Sequence, residues 1–177
     1  MKKQITPLIN SLNYYFDKTH YVMKNRRSLY SLEKTLIYNS EKYKEKINMI
    51  QELYSSKKNK IIIDRRHYEL VACSIAARGK KHASLGTSYR MLPSQNYLRP
   101  TKILLKKLGK IGEISSLTPS TNIIGKCAEI KAINNIYKFE PTLTLADINF
   151  TKAIRPRTLE KIARCENCTY IFGNESK

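Results

Sequence analysis

Three cysteines and one glutamate are the residues of this sequence whose types and spacing suit metal chemistry. Cys127 and Glu129 stand two residues apart in a Cys-Ala-Glu segment, and Cys165 and Cys168 form a Cys-x-x-Cys pair further along the chain. Three thiolates can hold a zinc ion and leave its fourth tetrahedral position open for water. A carboxylate two residues from one ligand can move protons to and from that water. The sequence therefore predicts zinc as the cofactor, with Cys127, Cys165 and Cys168 as ligands and Glu129 as the catalytic group.

The elements around these residues have to bring them together. A helix is predicted from Cys127 to about Tyr137, and its N-terminus favours a thiolate over a thiol. The segment from Leu143 to Phe150 is predicted to be a strand, which would form a parallel β-α-β unit if it lies beside an earlier strand. A right-handed crossover would then return the following loop, which leads to Cys165, toward the start of the Cys127 helix. The two cysteine segments are thus expected to meet.

Two other interpretations of the cysteines remain open. In the first, the Cys-x-x-Cys pair and Cys127 form a structural zinc site, with His82 or His67 as its fourth ligand. In the second, the two cysteine segments are unrelated. The three histidines, His20, His67 and His82, have no partner at metal-ligand spacing, so we expect ordinary polar roles for them.

The amino-terminal part of the chain is predicted to be an antiparallel helical hairpin. Thr6 and Pro7 are typical of a helix start, and this first helix is expected to continue to about Met23. A second helix is predicted from near Ser28 to Tyr54, because its apolar residues recur at spacings of three or four. The hairpin either packs against the rest of the domain or serves as a docking arm for a partner.

A polar, basic segment at residues 55–60 is the best internal boundary. It divides the chain into a helical hairpin extension, residues 1–58, and a zinc domain, residues 59–177. Beyond the boundary, β-branched residues predict strands at Ile61–Ile63 and from Tyr68 to Ala76, although the second segment is also compatible with a buried helix. Together with the elements of the metal motif, these segments predict an α/β fold.

The charge of the chain is strongly one-sided. There are 33 Lys and Arg residues against 14 Asp and Glu, a formal net charge of +19, which predicts attraction to polyanions such as nucleic acid. Between Glu69 and Glu113 the chain has nine basic residues and no acidic one, and Tyr89 and Tyr97 are interleaved with them, as in single-strand binders. The alternative is a basic loop without a ligand. The candidate nucleic-acid-binding residues are Arg78, Lys80, Lys81, Arg90, Lys106 and Lys107.

Several classes of protein fit the composition poorly. Four cysteines in 177 residues are too few for a disulfide framework. No segment approaches the roughly 20 apolar residues of a membrane span, so no membrane partner is expected. The first residues carry two lysines but no apolar run behind them, which argues against a secretory signal. We expect a cytoplasmic protein, or one exported by dedicated machinery; the sequence indicates no oligomeric state.

The metal motif resembles the deaminase superfamily, and within it a bacterial toxin-type branch related to YwqJ in which Cys-Ala-Glu replaces His-Ala-Glu. The similar segments are residues 125–134, the strand predicted after them, and residues 164–168. The resemblance spans about Ser115 to Phe172, a third of the chain. It implies a cytidine deaminase-like α/β/α sandwich with a mixed sheet. It also implies zinc ligation by Cys127, Cys165 and Cys168 and a proton-shuttling role for Glu129.

The resemblance implies hydrolytic deamination of a nucleobase, cytosine or adenine, with single-stranded nucleic acid favoured because a paired base must first be flipped out. Such proteins include effectors of polymorphic toxin systems, so a cognate immunity protein is a further expected partner. Two other functions remain open: deamination of free nucleosides, and non-catalytic nucleic-acid binding with a structural zinc. The candidate substrate-binding residues are Thr121, Asn122, Arg155 and Arg157.

The chain departs from the family pattern in three places. Arg164 stands where a proline usually precedes the Cys-x-x-Cys pair. Few residues follow Cys168, so either the sheet is short or earlier strands fill the places of those that usually come after this helix. The amino-terminal hairpin has no recognised counterpart.

Overall fold

The fold is given by a computed structural model that describes residues 23–24, 28–55 and 71–174 of the chain. Four helices lie in these residues, and short 3-10 turns occur at Ser94–Asn96 and Leu145–Asp147. The helices are α1 at Leu29–Ser55, α2 at Arg99–Lys106, α3 at Ala128–Tyr137 and α4 at Glu166–Phe172.

The described strands form one open, antiparallel, six-stranded sheet. The strands are β1 at Met23–Lys24, β2 at Ser74–Arg78, β3 at His82–Thr87, β4 at Asn149–Phe150, β5 at Ala153–Ile154 and β6 at Lys161–Ile162. Their order is β1-β3-β2-β5-β6, and β4 also pairs with β2. An α/β fold, as predicted, is confirmed. The mixed sheet that the resemblance implies is wrong for the described strands, because all of their pairings are antiparallel.

Strand β2 is the centre of the sheet and is hydrogen-bonded along both edges. On one side it pairs with β3, with Ala76 opposite Leu85. On the other side it pairs first with β4 and then with β5. Between β4 and β5 the Thr151 side chain joins the ladder, since its Oγ1 accepts the Ala76 N–H at 3.1 Å while its own N–H donates to the Ala76 carbonyl at 2.9 Å. Strands β4 and β5 thus form one interrupted edge along β2.

The parallel strand pair expected around the metal motif does not occur among the described strands. Strands β3 and β4 are both antiparallel to β2, so they run in the same direction with β2 between them. Helix α3 lies between β3 and β4 in the chain and therefore makes a crossover that skips one strand. Every described strand precedes α4, in line with the expectation that earlier strands supply the sheet.

The strand predicted from Leu143 to Phe150 is wrong over most of its length. Only β4 at its end is extended, because Leu145–Asp147 forms a 3-10 turn. The Asp147 carboxylate accepts the backbone N–H and the hydroxyl of Thr144 at 3.0 and 2.8 Å. Together with the Lys80 ammonium, these donors lower the pKa of Asp147 to about 2, the Thr144 N–H contributing most. Such local side-chain bonds compete with the strand ladder and stabilise the turn instead.

Helix α1 confirms the second predicted amino-terminal helix and covers one face of the sheet. Leu32 and Leu36 pack against Ala76, Ala83 and Leu85. This contact agrees with packing against the rest of the domain, the first interpretation offered for the hairpin. Of the first predicted helix, only its expected end is described, and there Met23 belongs to β1 instead. The rest of that helix, the segment 56–70 with the proposed boundary at 58/59, and the predicted strand at Ile61–Ile63 lie outside the described residues.

Helix α3 covers the opposite face and is buried along its whole length. Because side chains alternate along a strand, β2 points Ile75 and Ala77 toward α3, while Ala76 faces α1. Helix α2 adds Leu104 and Leu105 to the core around α3. The sheet therefore lies between two helical layers, and α3 begins at Ala128, directly after Cys127.

Candidate metal centre

A tight loop positions Cys127 at the start of α3. Gly125 has φ +96°, and a Cβ there would lie 2.9 Å from the Tyr97 hydroxyl, so both the backbone angle and the space favour glycine. That hydroxyl donates to the Gly125 carbonyl at 2.7 Å. Burial raises the pKa of Tyr97 to about 12, which keeps the donor protonated. Tyr97 is 2% exposed and cannot stack on a nucleobase, in contrast to the pattern suggested by the sequence.

Strand β3 determines how closely the N-terminus of α3 approaches the sheet. A Cβ on Gly86 would lie 2.0 Å from the carbonyl oxygen of Ala128 and 2.8 Å from the amide nitrogen of Ala132. Only a residue without a side chain lets the first turn of α3 approach the sheet this closely. Cys127, as the N-cap of α3, is carried on that turn.

Helix α4 carries the other two cysteines in its first turn. Cys165 is its N-cap, and Cys168 lies one turn further and is fully buried. Asn167, between them, is also buried. Its side chain donates to the Asn122 carbonyl at 2.9 Å and accepts a hydrogen bond from the Thr118 hydroxyl. The loop that precedes Cys127 is therefore fastened directly to the Cys-x-x-Cys turn.

Arg164, where the family pattern has proline, has a structural role. Its guanidinium donates to the Gly173 carbonyl at 2.8 Å, beyond the end of α4. It also lies over the rings of Phe150 and Phe172, 5.1 and 5.6 Å from their centroids. These contacts hold α4 against β4.

The three cysteine sulfurs converge. All three lie within 4.8 Å of one another, and the Cys127 and Cys165 sulfurs are 3.6 Å apart. Tetrahedral Zn–S bonds of about 2.3 Å place two sulfurs roughly 3.8 Å apart. All four cysteines of the chain are free thiols. The group can hold a metal ion, and its geometry is compatible with zinc.

The close sulfurs strongly affect one another's protonation. Hydrogen bonds from the thiols of Cys127 and Cys168 lower the pKa of Cys165, because they stabilise its thiolate. The same contacts raise the pKa of Cys127 and of Cys168, and burial adds to both shifts. The negative charge is thus favoured on the half-buried Cys165 sulfur, with the two buried thiols as its hydrogen-bond donors. A bound cation would stabilise all three as thiolates.

Glu129 lies in the first turn of α3 and is 3% exposed. Burial raises the pKa of its carboxyl group, and a hydrogen bond with the Cys168 thiol partly opposes that shift. Among the described residues, Glu129 is not one of the three ligands within 4.8 Å of each other. It lies beside the three cysteines and lines the same cavity, a position from which a carboxyl group can exchange protons with a metal-bound water.

A cavity of about 280 Å³ opens beside the cysteines. Two of the three cysteines, Cys127 and Cys165, line it together with Glu129. The two thiols and the carboxyl group therefore border a space large enough for a small ring. The other described residues that line it are Ala72, Cys73, Ser88, Asn122, Lys126, Ala128, Arg155, Ile162 and Ala163.

The four candidate substrate-binding residues divide into two pairs. Asn122 and Arg155 line the cavity. Thr121 is exposed beside Asn122, and Arg157 lies in the turn between β5 and β6, but neither lines the cavity. Lys126 does line it, and sequence reasoning missed it. Its place directly before Cys127 is the signal that could have found it.

His82, considered as a fourth ligand, lies at the wrong end of α3. Its Nδ1 is 3.1 Å from the Glu140 carboxylate, just beyond the C-terminus of the helix, and its ring stacks on Phe139. Cys127 is at the N-terminus of this 10-residue helix, about 15 Å away at 1.5 Å per residue. His82 is therefore excluded as a ligand; His20 and His67 lie outside the described residues.

The six candidate nucleic-acid-binding residues do not form one surface. Arg78, Lys80 and Lys81 lie at the β2–β3 turn, near Glu140 and far from the cysteines, and Lys80 pairs with Asp147 at 2.9 Å. Arg90 is at the other end of β3, exposed, with its guanidinium 5.1 Å from the Tyr89 ring centroid. Lys106 and Lys107 are exposed at the end of α2.

Comparison of the chain with protein-family models, with curated proteins and with solved structures finds no match in any of the three. In the part of the chain that the structure describes, no helix combines the length and the apolar character that crossing a membrane requires.

Proposed function

We propose that this chain is a zinc-dependent hydrolytic deaminase that acts on the amino group of a nucleobase, cytosine or adenine. The observation that carries the proposal is the meeting of three cysteine sulfurs, all within 4.8 Å of one another, with a buried glutamate at one cavity. The resemblance in the sequence predicts the same four residues for this chemistry. A cytidine deaminase-like arrangement of the two helical layers and the sheet belongs to the same proposal.

A zinc ion at the three cysteines would supply a water molecule of lowered pKa, close to 7. The protein's part is to move protons around that water. Glu129, the only carboxylate among the described residues lining the cavity, is the group that can accept two protons from that water in succession, delivering the first to a ring nitrogen and the second to the departing amino group, which leaves as ammonia. Its buried position raises its proton affinity, which suits a residue that must hold a proton between these steps.

The size of the cavity favours a single unpaired base as substrate. At about 280 Å³, it is just below the roughly 300–1,000 Å³ of pockets that hold drug-sized ligands. A base within a duplex must leave its stack to reach such a cavity, so a single strand is the less costly substrate. The net charge of +19 supports nucleic acid over a neutral small molecule.

Glu129→Gln tests the proposal. The substitution keeps the size of the side chain and leaves the three sulfurs in place, but glutamine cannot transfer the proton. We expect the variant to bind zinc as well as the unchanged protein and to lose ammonia release from cytosine- or adenine-containing single strands by at least about a hundredfold. Zinc would be measured by elemental analysis, and conversion of the base by mass spectrometry of the strand.

Two results would oppose the proposal. Zinc-loaded protein that releases no ammonia but still binds single strands would point to a binding protein with a structural metal. Ammonia release that is undiminished in Glu129→Gln would remove the glutamate from the mechanism. The matched control is Glu166→Gln, an exposed carboxylate next to Cys165, which should leave activity unchanged.

A further inference from the structure

Two cations line the cavity beside the cysteines, and they come from separate parts of the chain. Lys126 precedes the N-cap of α3, and Arg155 follows strand β5. Glu129 is the only carboxylate among the described residues lining this cavity. It is buried, whereas both cations are exposed. The accessible part of the cavity is therefore positively charged.

Backbone hydrogen bonds fix the two turns that carry these cations. The Lys126 N–H donates to the Ile123 carbonyl at 3.0 Å. In the β5–β6 turn, the Arg155 N–H donates to the Glu160 carbonyl at 2.9 Å, and the Arg155 carbonyl accepts the Leu159 N–H at 2.8 Å. Leu159 has φ +65°, a left-handed conformation that residues other than glycine rarely adopt. A turn kept in that conformation next to a cavity is typical of a functional segment.

Both positive charges remain available to a ligand. Lys126 forms no ion pair with any carboxylate in the described part of the chain. Within the same residues, Arg155 pairs with Glu160 alone, at 3.5 Å, and these two side chains are 56% and 65% exposed. An exposed pair at that distance is weak, so a doubly charged anion would displace it.

Two other polar groups on the cavity wall are neutral and already accept or make hydrogen bonds within the protein. The Ser88 hydroxyl oxygen accepts the backbone N–H groups of Ala72 and Cys73 at 3.1 and 2.9 Å. The Asn122 side chain makes a hydrogen bond with the Cys165 sulfur, which helps to lower the pKa of that thiol. Lys126 and Arg155 are therefore the wall groups that can recognise a charged part of the substrate.

We propose that Lys126 and Arg155 bind a phosphate attached to the nucleoside whose base enters the cavity. The substrate class is then a nucleotide, free or within a strand, and not a free base or nucleoside. Arginine binds a phosphate through two parallel N–H bonds and lysine through a point charge, so the pair fixes both the position and the orientation of that group. This inference rests on the proposed function for the identity of the base.

The test is a binding measurement on the full chain, loaded with zinc and carrying Glu129→Gln so that no substrate is consumed. Calorimetry compares cytidine and adenosine with their monophosphates and with short single strands. We expect the phosphate-bearing ligands to bind at least about tenfold more tightly than the nucleosides. Adding Lys126→Gln and Arg155→Gln together should abolish that preference while leaving nucleoside affinity and zinc content unchanged. Lys152→Gln, an exposed lysine beside β5 that does not line the cavity, is the matched control.

Nucleosides that bind as tightly as nucleotides would overturn the inference, as would a double substitution that weakens both ligands equally. Equal affinity for monophosphates and strands would identify the bound phosphate as that of a free nucleotide. A preference for strands would identify it as part of a nucleic-acid backbone. Both results support a phosphate site at Lys126 and Arg155. Ammonia release, measured separately on protein with Glu129 intact, tests the proposed function. A phosphate preference without ammonia release would leave the subsite standing and remove the deaminase.

Discussion

At the scale of single residues, the metal group depends on side chains that are not ligands. Asn167 stands between Cys165 and Cys168 and is 1% exposed, yet its amide joins the helix turn to the loop at Thr118 and Asn122. Hydrogen-bonded neighbours of this kind orient metal ligands and commonly change metal affinity by roughly 10–100-fold when removed. The Asn122 side chain in turn contacts the Cys165 sulfur. The chain therefore positions the sulfurs through a buried amide as well as through helix geometry.

Asn167→Ala should weaken zinc binding as well as folding. The substitution leaves the Thr118 hydroxyl and the Asn122 carbonyl without their partner, a loss of about 1–3 kcal/mol in the free energy of unfolding. We expect a roughly tenfold or greater loss of zinc affinity in addition, because the turn bearing both cysteines is no longer held. Competition with a chromophoric chelator measures the affinity, and denaturant unfolding of zinc-free protein measures the stability. Unchanged zinc affinity would show that helix geometry alone orients the sulfurs.

At the scale of elements, the site is built where helix α3 starts against strand β3. The local sequence pattern predicted helix α3 well, because the apolar residues of α3 recur at helical spacing and Gly125 precedes it. It predicted no strand at His82–Thr87, because that stretch is a short run of small, mostly apolar residues within a basic segment. It also predicted a strand through Leu145–Asp147, where a Thr144–Asp147 capping box, a contact between side chain and backbone, favours a turn.

Gly86→Ala should damage the site through this contact of strand and helix. The new Cβ would lie 2.0 Å from the Ala128 carbonyl oxygen. The oxygen belongs to the backbone of α3 and the Cβ is attached to the backbone of β3, so neither atom can move aside easily. We expect a loss of about 3 kcal/mol in the free energy of unfolding, at the upper end for added core volume, and weaker zinc binding because Cys127 moves with the helix.

Gly173→Ala is the matched control for that substitution. No atom lies within 4 Å of a Cβ there, so only the backbone conformation contributes: φ +76° with ψ −179° is a region that glycine alone adopts readily, and another residue there costs roughly 1–3 kcal/mol. Denaturant unfolding of the two zinc-free variants gives the comparison. An unchanged stability and zinc affinity of Gly86→Ala would mean that α3 can move away from β3 without cost.

At the scale of the whole molecule, basic residues lie at both ends of strand β3. Composition alone predicted attraction to polyanions but could not place the cations, because strand pairing between distant segments decides which of them lie together. Arg90 follows β3 at the end where Ser88 lines the cavity, whereas Lys80 lies at the opposite turn and is paired with Asp147. Under the proposed function, a strand whose base occupies the cavity would therefore pass nearer to Arg90 than to Lys80.

Arg90→Gln and Lys80→Gln should accordingly differ in their effect on single-strand binding. For a single strand, each phosphate that the protein neutralises contributes about 0.7 to the slope of log affinity against log salt. We expect Arg90→Gln to reduce the affinity and to lower this slope by about 0.7, the contribution of one phosphate. The reason is that the exposed Arg90 guanidinium pairs with no carboxylate among the described residues. Lys80→Gln should change neither to a comparable extent, since Lys80 lies at the β2–β3 turn, at the opposite end of β3 from the cavity. Fluorescence anisotropy of a labelled strand across a salt series makes the measurement; equal effects of the two substitutions would show that the charge acts as one diffuse surface.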